Sequence, residues 1–64
     1  MMKELDFVKL KTEFKGLPAE TKGTIVLEYD GNCFEVEFVD DAENTIDVLT
    51  TPAEMLELVV AFDN

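Results

Sequence analysis

The stretch that decides the fold is Gly23 to Asp40, which reads GTIVLEYDGNCFEVEFVD. In it, two segments rich in β-branched and aromatic residues flank Asp30-Gly31-Asn32. A glycine next to Asp or Asn between two such segments is a strong hairpin signal. The sequence therefore predicts an antiparallel hairpin, which points to a fold class and leaves the function open.

Two registers of this hairpin fit the sequence, and both bury the same face. A turn centred on Gly31-Asn32 makes the numbers of paired residues add to 63, and a turn centred on Asp30-Gly31 makes them add to 61. The first register opposes Glu28 with Glu35, a like-charge pair that weakens the ladder. Registers that differ by two positions keep every side chain on the same face. The predicted inner face consists of Ile25, Leu27, Tyr29, Phe34, Val36 and Phe38, and the predicted outer face contains Glu28, Glu35 and Glu37.

The segment before the hairpin predicts one strand and a long loop. Residues Leu5 to Lys11 alternate in polarity and predict a strand with Val8 and Leu10 facing inward. Residues Thr12 to Lys22 contain a glycine and a proline and predict a loop. Two apolar side chains of this loop are expected to pack back on the core, Phe14 and Leu17.

The segment after the hairpin predicts two more strands separated by a helical turn. The first strand is Thr45 to Thr50, and the second is Leu58 to Phe62. Between them, Thr51-Pro52-Ala53-Glu54 has the pattern of a capping box, in which the Thr51 hydroxyl accepts the amide of Glu54. Two side chains of the first strand are expected to face inward, Ile46 and Val48.

Together these elements predict a mainly β protein with the strand order of a small five-stranded SH3-like barrel. The long first loop, the tight middle turns and one short helical turn before the last strand are typical of that fold. A chain of 64 residues forms one domain, so residues 1–64 are predicted to be a single SH3-like domain.

Several short segments, taken in order, carry a family resemblance. They are Lys3-Glu4-Leu5-Asp6, Val8 with Leu10, Leu17-Pro18, Lys22 to Val26, Tyr29-Asp30-Gly31, Glu35 to Asp40 and the turn from Glu54 to Leu56. Over roughly residues 3 to 58 the chain resembles the short bacterial proteins catalogued as domain of unknown function 4926. The resemblance implies an SH3-like barrel and no activity, because that family has neither an assigned function nor a catalytic motif. The chain departs from the family after Leu58, where Val59 to Asn64 are expected to extend the last strand.

Charge is distributed very unevenly along the chain, whose net charge is −10. All five lysines lie within the first 22 residues, and residues 23 to 64 contain eleven acidic residues and no basic residue. Because proteins bind phosphate backbones mainly through Lys and Arg, this excess of negative charge opposes binding to nucleic acid. The acidic excess has two interpretations, a solvated surface that keeps the protein soluble and a surface that docks a basic partner.

The residue inventory argues against an enzyme. The chain has no serine, histidine, arginine, tryptophan or glutamine, so it lacks the parts of a Ser-His or Cys-His pair. Cys33 has no cationic neighbour in sequence to activate it, and one cysteine cannot form an internal disulfide. The acidic segment Asp40 to Asn44 lacks the ligand spacing of a calcium loop. We therefore expect no catalytic residue, no cofactor and no metal.

Size and hydropathy bear on assembly and location. A domain this small has a marginal core, so association with another chain is an expected source of stability. No apolar run is long enough to span a membrane, and the N-terminal residues are charged where a signal peptide would be apolar. The lone thiol also fits a reducing compartment. The expected location is the cytoplasm, with no membrane contact.

Three functional hypotheses remain. The first is a protein-interaction module that binds a protein partner, for which a basic protein is a candidate, and its candidate residues are Asp40, Asp41, Glu43 and Asp47. The second is a self-assembling, homodimeric structural protein, and its candidate interface residues are Val26, Val59 and Ala61. The third and weakest is nucleic-acid mimicry, since carboxylates on alternate strand residues are spaced roughly like phosphates.

Overall fold

The computed structural model describes residues 2–63, which form one sheet of five antiparallel strands. The strands are β1 (Phe7–Leu10), β2 (Lys22–Glu28), β3 (Cys33–Val39), β4 (Thr45–Pro52) and β5 (Leu56–Val60), and a 3-10 turn (Ala53–Met55) joins β4 to β5. The strand order is β4-β3-β2-β1-β5, and the sheet is not closed. The mainly β class is confirmed, and residues 2–63 contain no α-helix. They also contain no helix long and apolar enough to cross a membrane.

The central hairpin forms, in a register between the two predicted ones. Near the turn the backbone amide of Tyr29 donates to the carbonyl of Cys33, so three residues form the loop and paired numbers add to 62. Gly31 at its centre has a φ of +86°, which glycine adopts at little cost. Farther from the turn the sum is 61, because Val26 is an extra residue, a β-bulge, in β2.

The three-residue loop and the bulge change which side chains face the core. A one-residue shift moves a side chain to the other face, so Leu27 now lies opposite the outward-facing Glu35. Leu27 is 43% exposed and Tyr29 is 54% exposed, and the Tyr29 hydroxyl donates to Glu35 at 3.2 Å. The prediction that these two residues face inward is wrong. The inward prediction is confirmed for the other four, Ile25, Phe34, Val36 and Phe38, all of which are buried.

This register makes a direct prediction for Leu27. We expect Leu27→Thr to lower the free energy of unfolding by less than about 1 kcal/mol, because the side chain is already largely in solvent. A leucine in the core would lose about 2–5 kcal/mol on truncation. Urea unfolding measures the difference, and a loss above about 2 kcal/mol would show that Leu27 is a core residue in solution.

The core lies on one face of the sheet, with the loop between β1 and β2 packed against it. Val8 and Leu10 are fully buried, as predicted. Phe14 and Leu17 are half-buried against the core, which agrees with their predicted role. The buried apolar core consists of Val8, Leu10, Ile25, Phe34, Val36, Phe38 and Leu56.

In β4 the prediction of which residues face inward is wrong. Pairing with β3 sets Leu49 opposite the buried Val36 and Val48 opposite Glu37, so Leu49 packs on the core and Val48 is exposed. Ile46 is also exposed and lies where the register shifts. The alternation of apolar residues in β4 alone does not reveal which set is covered.

The predicted capping box is not formed. Thr51 continues β4 opposite Phe34, so its side chain is buried and its hydroxyl donates to the carbonyl of Leu49 at 3.1 Å. Pro52 occupies the N-cap position of the 3-10 turn, which has no side-chain cap. β5 consequently begins at the buried Leu56, two residues earlier than predicted. It ends at Val60, so residues 61–63 do not extend it, and Asn64 lies outside the described residues.

A buried aspartate fastens the two ends of the described chain together. The Asp6 carboxylate is completely buried and accepts three hydrogen bonds, from the amide and ammonium of Lys3 and from the amide of Phe62. Burial by itself raises the pKa of Asp6, but the hydrogen bonds from Lys3 and Phe62 outweigh it and hold the pKa below its ordinary value.

Candidate functional site

A groove of about 550 Å³ runs across the middle of the sheet. One side is formed by β1 and β5, the centre by the start of β2, and the other side by β3 and the turn from β3 to β4. Ligand-binding clefts usually measure about 300–1,000 Å³, so the groove has room for several side chains of a partner.

Apolar and acidic residues line this groove together. Phe7 and Val59 contribute apolar surface from β1 and β5, and Val39 contributes it from β3. The acidic lining residues are Glu37, Asp40, Asp41 and Glu43. Lys22 is the one basic residue among the described residues of the lining, which together carry a net charge of −3. We call this surface the acidic groove.

Asp40 builds the turn that carries most of this charge. Its carboxylate accepts hydrogen bonds from the backbone amides of Asn44 and Ala42, both at 2.9 Å, and its own amide donates to the carbonyl of Asn44. The amide of Asn44, with that of Ala42, holds the pKa of Asp40 below its ordinary value. Asp40 was predicted as a binding residue, and the structure gives its carboxylate a role in the turn.

The other predicted acidic residues separate into two groups. Asp41 and Glu43 are exposed at the groove, and within residues 2–63 their carboxylates accept no hydrogen bond and form no ion pair. Asp47 does not line the groove, and its carboxylate accepts the amide of Val48 on the edge strand β4. Asp41 and Glu43 are therefore the carboxylates best placed to meet a cationic group.

Glu37 is a groove residue that the sequence placed only on a solvated face. It is half-buried, and its carboxylate accepts the hydroxyl of Thr45. Phe7 is a second groove residue that was not a predicted candidate, and it is 53% exposed. No local signal marks either residue, because the pairing of β1 with β2 and of β2 with β3 brings them to one groove.

The residues predicted for self-association lie on β2, on β5 and just after β5. Val26, Val59 and Ala61 are all exposed. Only Val59 lines the acidic groove, and Val26 lies on β2, which β1 separates from β5.

The chemistry that this site offers is recognition through carboxylates and apolar surface. Across residues 2–63, no group of three or more metal-ligating side chains comes together. Cys33 is half-buried at the start of β3 and does not line the groove.

Comparison with known proteins identifies a family for the chain. No curated protein and no solved structure gives a significant match. The family described as a domain of unknown function (DUF4926) matches residues 4–58, which include all of β1 to β4 and three residues of β5. Every described residue that lines the acidic groove except Val59 falls within this match. The chain therefore belongs to the DUF4926 family.

Proposed function

We propose that this protein is a non-enzymatic interaction module of the cytoplasm that binds a basic segment of a partner protein in the acidic groove. The observation that carries the proposal is the combination of a sizeable groove, apolar surface and uncommitted carboxylates in one place. The fold that we propose for the module is an SH3-like barrel, supported by the strand order and by the 3-10 turn before the last strand.

The chemistry of the lining selects the chemistry of the ligand. Lysine and arginine have apolar stems and charged ends, so one side chain can contact apolar and acidic surface at once. Phe7 and Val59 supply the apolar contact, and Asp41 and Glu43 supply the charge. Nucleic acid is a poor candidate, because the groove is negative and phosphates would be repelled.

Electrostatic steering adds to this complementarity. From residue 23 onward the sequence has no positive charge, so β3, β4 and β5 add only acidic residues to the field around the groove. Such a field raises the association rate of a basic partner and falls with ionic strength.

The proposal is tested with an octalysine peptide titrated into the protein, by calorimetry and by amide chemical shifts, at about 50 mM salt. We expect the shifts to concentrate on Asp41, Glu43 and the start of β2. Exposed ion pairs contribute about 0.2–1 kcal/mol each, so Asp41→Asn with Glu43→Gln should weaken binding by roughly fivefold.

A matched control separates the groove from net charge. Asp47→Asn with Glu54→Gln removes the same two charges from exposed residues outside the groove, so we expect it to leave binding within about twofold of the native protein. Equal weakening by both pairs would mean diffuse attraction to an acidic surface, and no binding of octalysine at low salt would refute the proposal.

A further inference from the structure

The loop between β1 and β2 presents a lysine at the tip of a tight turn. Phe14 and Leu17 exchange two backbone hydrogen bonds of 2.9 Å each, so only Lys15 and Gly16 form the corner. Lys15 has a φ of +49° and Gly16 a φ of +86°. Positive φ at both corner residues is the geometry of a type I′ turn, which favours Asn, Asp and Gly at its first corner position. Here that position holds an exposed lysine.

This lysine forms no ion pair within residues 2–63, although its ammonium lies 5.5 Å from the centroid of the Phe14 ring. Lys3 pairs with Asp6 at 2.7 Å, and Lys9 pairs with Glu20 at 2.8 Å. Within residues 2–63 the other three lysines, Lys11, Lys15 and Lys22, have no ion pair, and Lys22 lines the acidic groove itself. Lys15 does not line the acidic groove of its own chain, so any carboxylate that it meets there would belong to another copy.

We propose that the Lys15 turn of one copy inserts into the acidic groove of a second copy. The inference rests on the proposed binding function of the groove, and it names a second copy of this chain as an occupant. The turn and the groove are different surfaces of the same chain, so the contact is head-to-tail and builds a ring or an open chain of copies.

Charge complementarity is what selects this occupant. The tip carries an exposed ammonium on a narrow two-residue corner, and the groove offers Asp41 and Glu43 without competing partners among the described residues. Two copies of net charge −10 repel each other at long range, but at about 0.15 M salt that repulsion is screened beyond roughly 8 Å. The contact is therefore local and weak, and we expect it only at high protein concentration.

A charge exchange between two variants tests the contact. Lys15→Glu puts an acid on the tip, and Asp41→Lys with Glu43→Lys makes the groove basic. Each variant alone should stay monomeric in sedimentation equilibrium at about 1 mM protein and 0.15 M salt. An equimolar mixture should associate, because each tip then meets a groove of opposite sign. All three positions are exposed, and circular dichroism checks that each variant folds.

The control is Lys11→Glu, which makes the same change in net charge on an exposed residue outside the turn. Its association constant should be at least half that of the native protein. A native protein that is monomeric at about 1 mM, or a Lys15→Glu variant that associates as the native protein does, would overturn the inference. Octalysine binding that Asp41→Asn with Glu43→Gln weakens would still support the proposed function in that case, so the two failures are distinguishable.

Discussion

Gly23→Ala is expected to lower the free energy of unfolding by about 2–3 kcal/mol, because the new methyl group has no room. A Cβ at this position would lie 2.7 Å from Cγ1 of Val36 and 2.9 Å from the carbonyl oxygen of Glu37. Both atoms belong to β3, which pairs with the central strand β2, and the carbonyl is part of the sheet backbone. The clash can be relieved only by moving the two strands apart, and urea unfolding measures the cost.

The control for this prediction is Gly16→Ala. Gly16 has a φ of +86° and no atom within 4 Å of an added Cβ, so it isolates the conformational cost of the substitution. We expect it to cost about 1 kcal/mol. If Gly16→Ala were as costly as Gly23→Ala, the close approach of β2 and β3 would not explain the need for glycine at position 23.

Asp6→Asn is expected to lower the free energy of unfolding by about 2 kcal/mol at neutral pH. The substitution removes the charge that the ammonium of Lys3 neutralises, and it replaces one accepting oxygen with an amide group that donates. Two of the three donors to Asp6 belong to Lys3 and one to Phe62, so the variant loosens the tie between the two ends of the described chain. Amide exchange should quicken at the Phe62 amide in particular.

The pH dependence of this effect has a definite sign. The pKa of Asp6 is lower in the folded protein than in the unfolded chain, so its stabilisation is complete above the unfolded pKa of about 4. That stabilisation is lost as the pH falls through the folded pKa. The difference in stability between the native protein and Asp6→Asn should therefore be constant from about pH 5 to 8 and shrink below about pH 4.

Asp41→Asn is the matched control, because it is the same substitution at an exposed carboxylate that accepts no hydrogen bond within residues 2–63. It should change stability by less than about 0.5 kcal/mol. The difference in stability between Asp6→Asn and the native protein should be smaller at about pH 3 than at neutral pH. A difference of unchanged size would contradict the role assigned to the buried charge.

Much of the fold was predictable because local chemistry specifies it. Alternation placed Val8 and Leu10 in the core, and Asp30-Gly31-Asn32 located the hairpin turn. The faces of Leu27 and Tyr29 were not predictable in the same way. A side chain changes face with each single-residue shift, and Val26 is an extra residue that nothing in its own identity marks as a bulge.

The candidate site was predictable in part. The sequence singled out the acidic turn, and Asp41 and Glu43 of that turn line the groove. Asp47 does not line the groove, and the carboxylate of Asp40 accepts backbone hydrogen bonds within the turn. Phe7 comes from a distant part of the chain, so the sequence offered no signal that would join it to this turn.

The sequence by itself determined the β class, the place of the turns and the sign of the field, because these depend on backbone preferences and on charges that are fixed residue by residue. The tertiary structure alone decided the hairpin register, the burial of Asp6 and the groove. Each of these depends on which strand lies beside which, and pairing between distant segments is a property of the assembled sheet. The stretch from Gly23 to Asp40 illustrates both kinds of determinant. Its turn follows from its local sequence, whereas its register depends on the bulge at Val26.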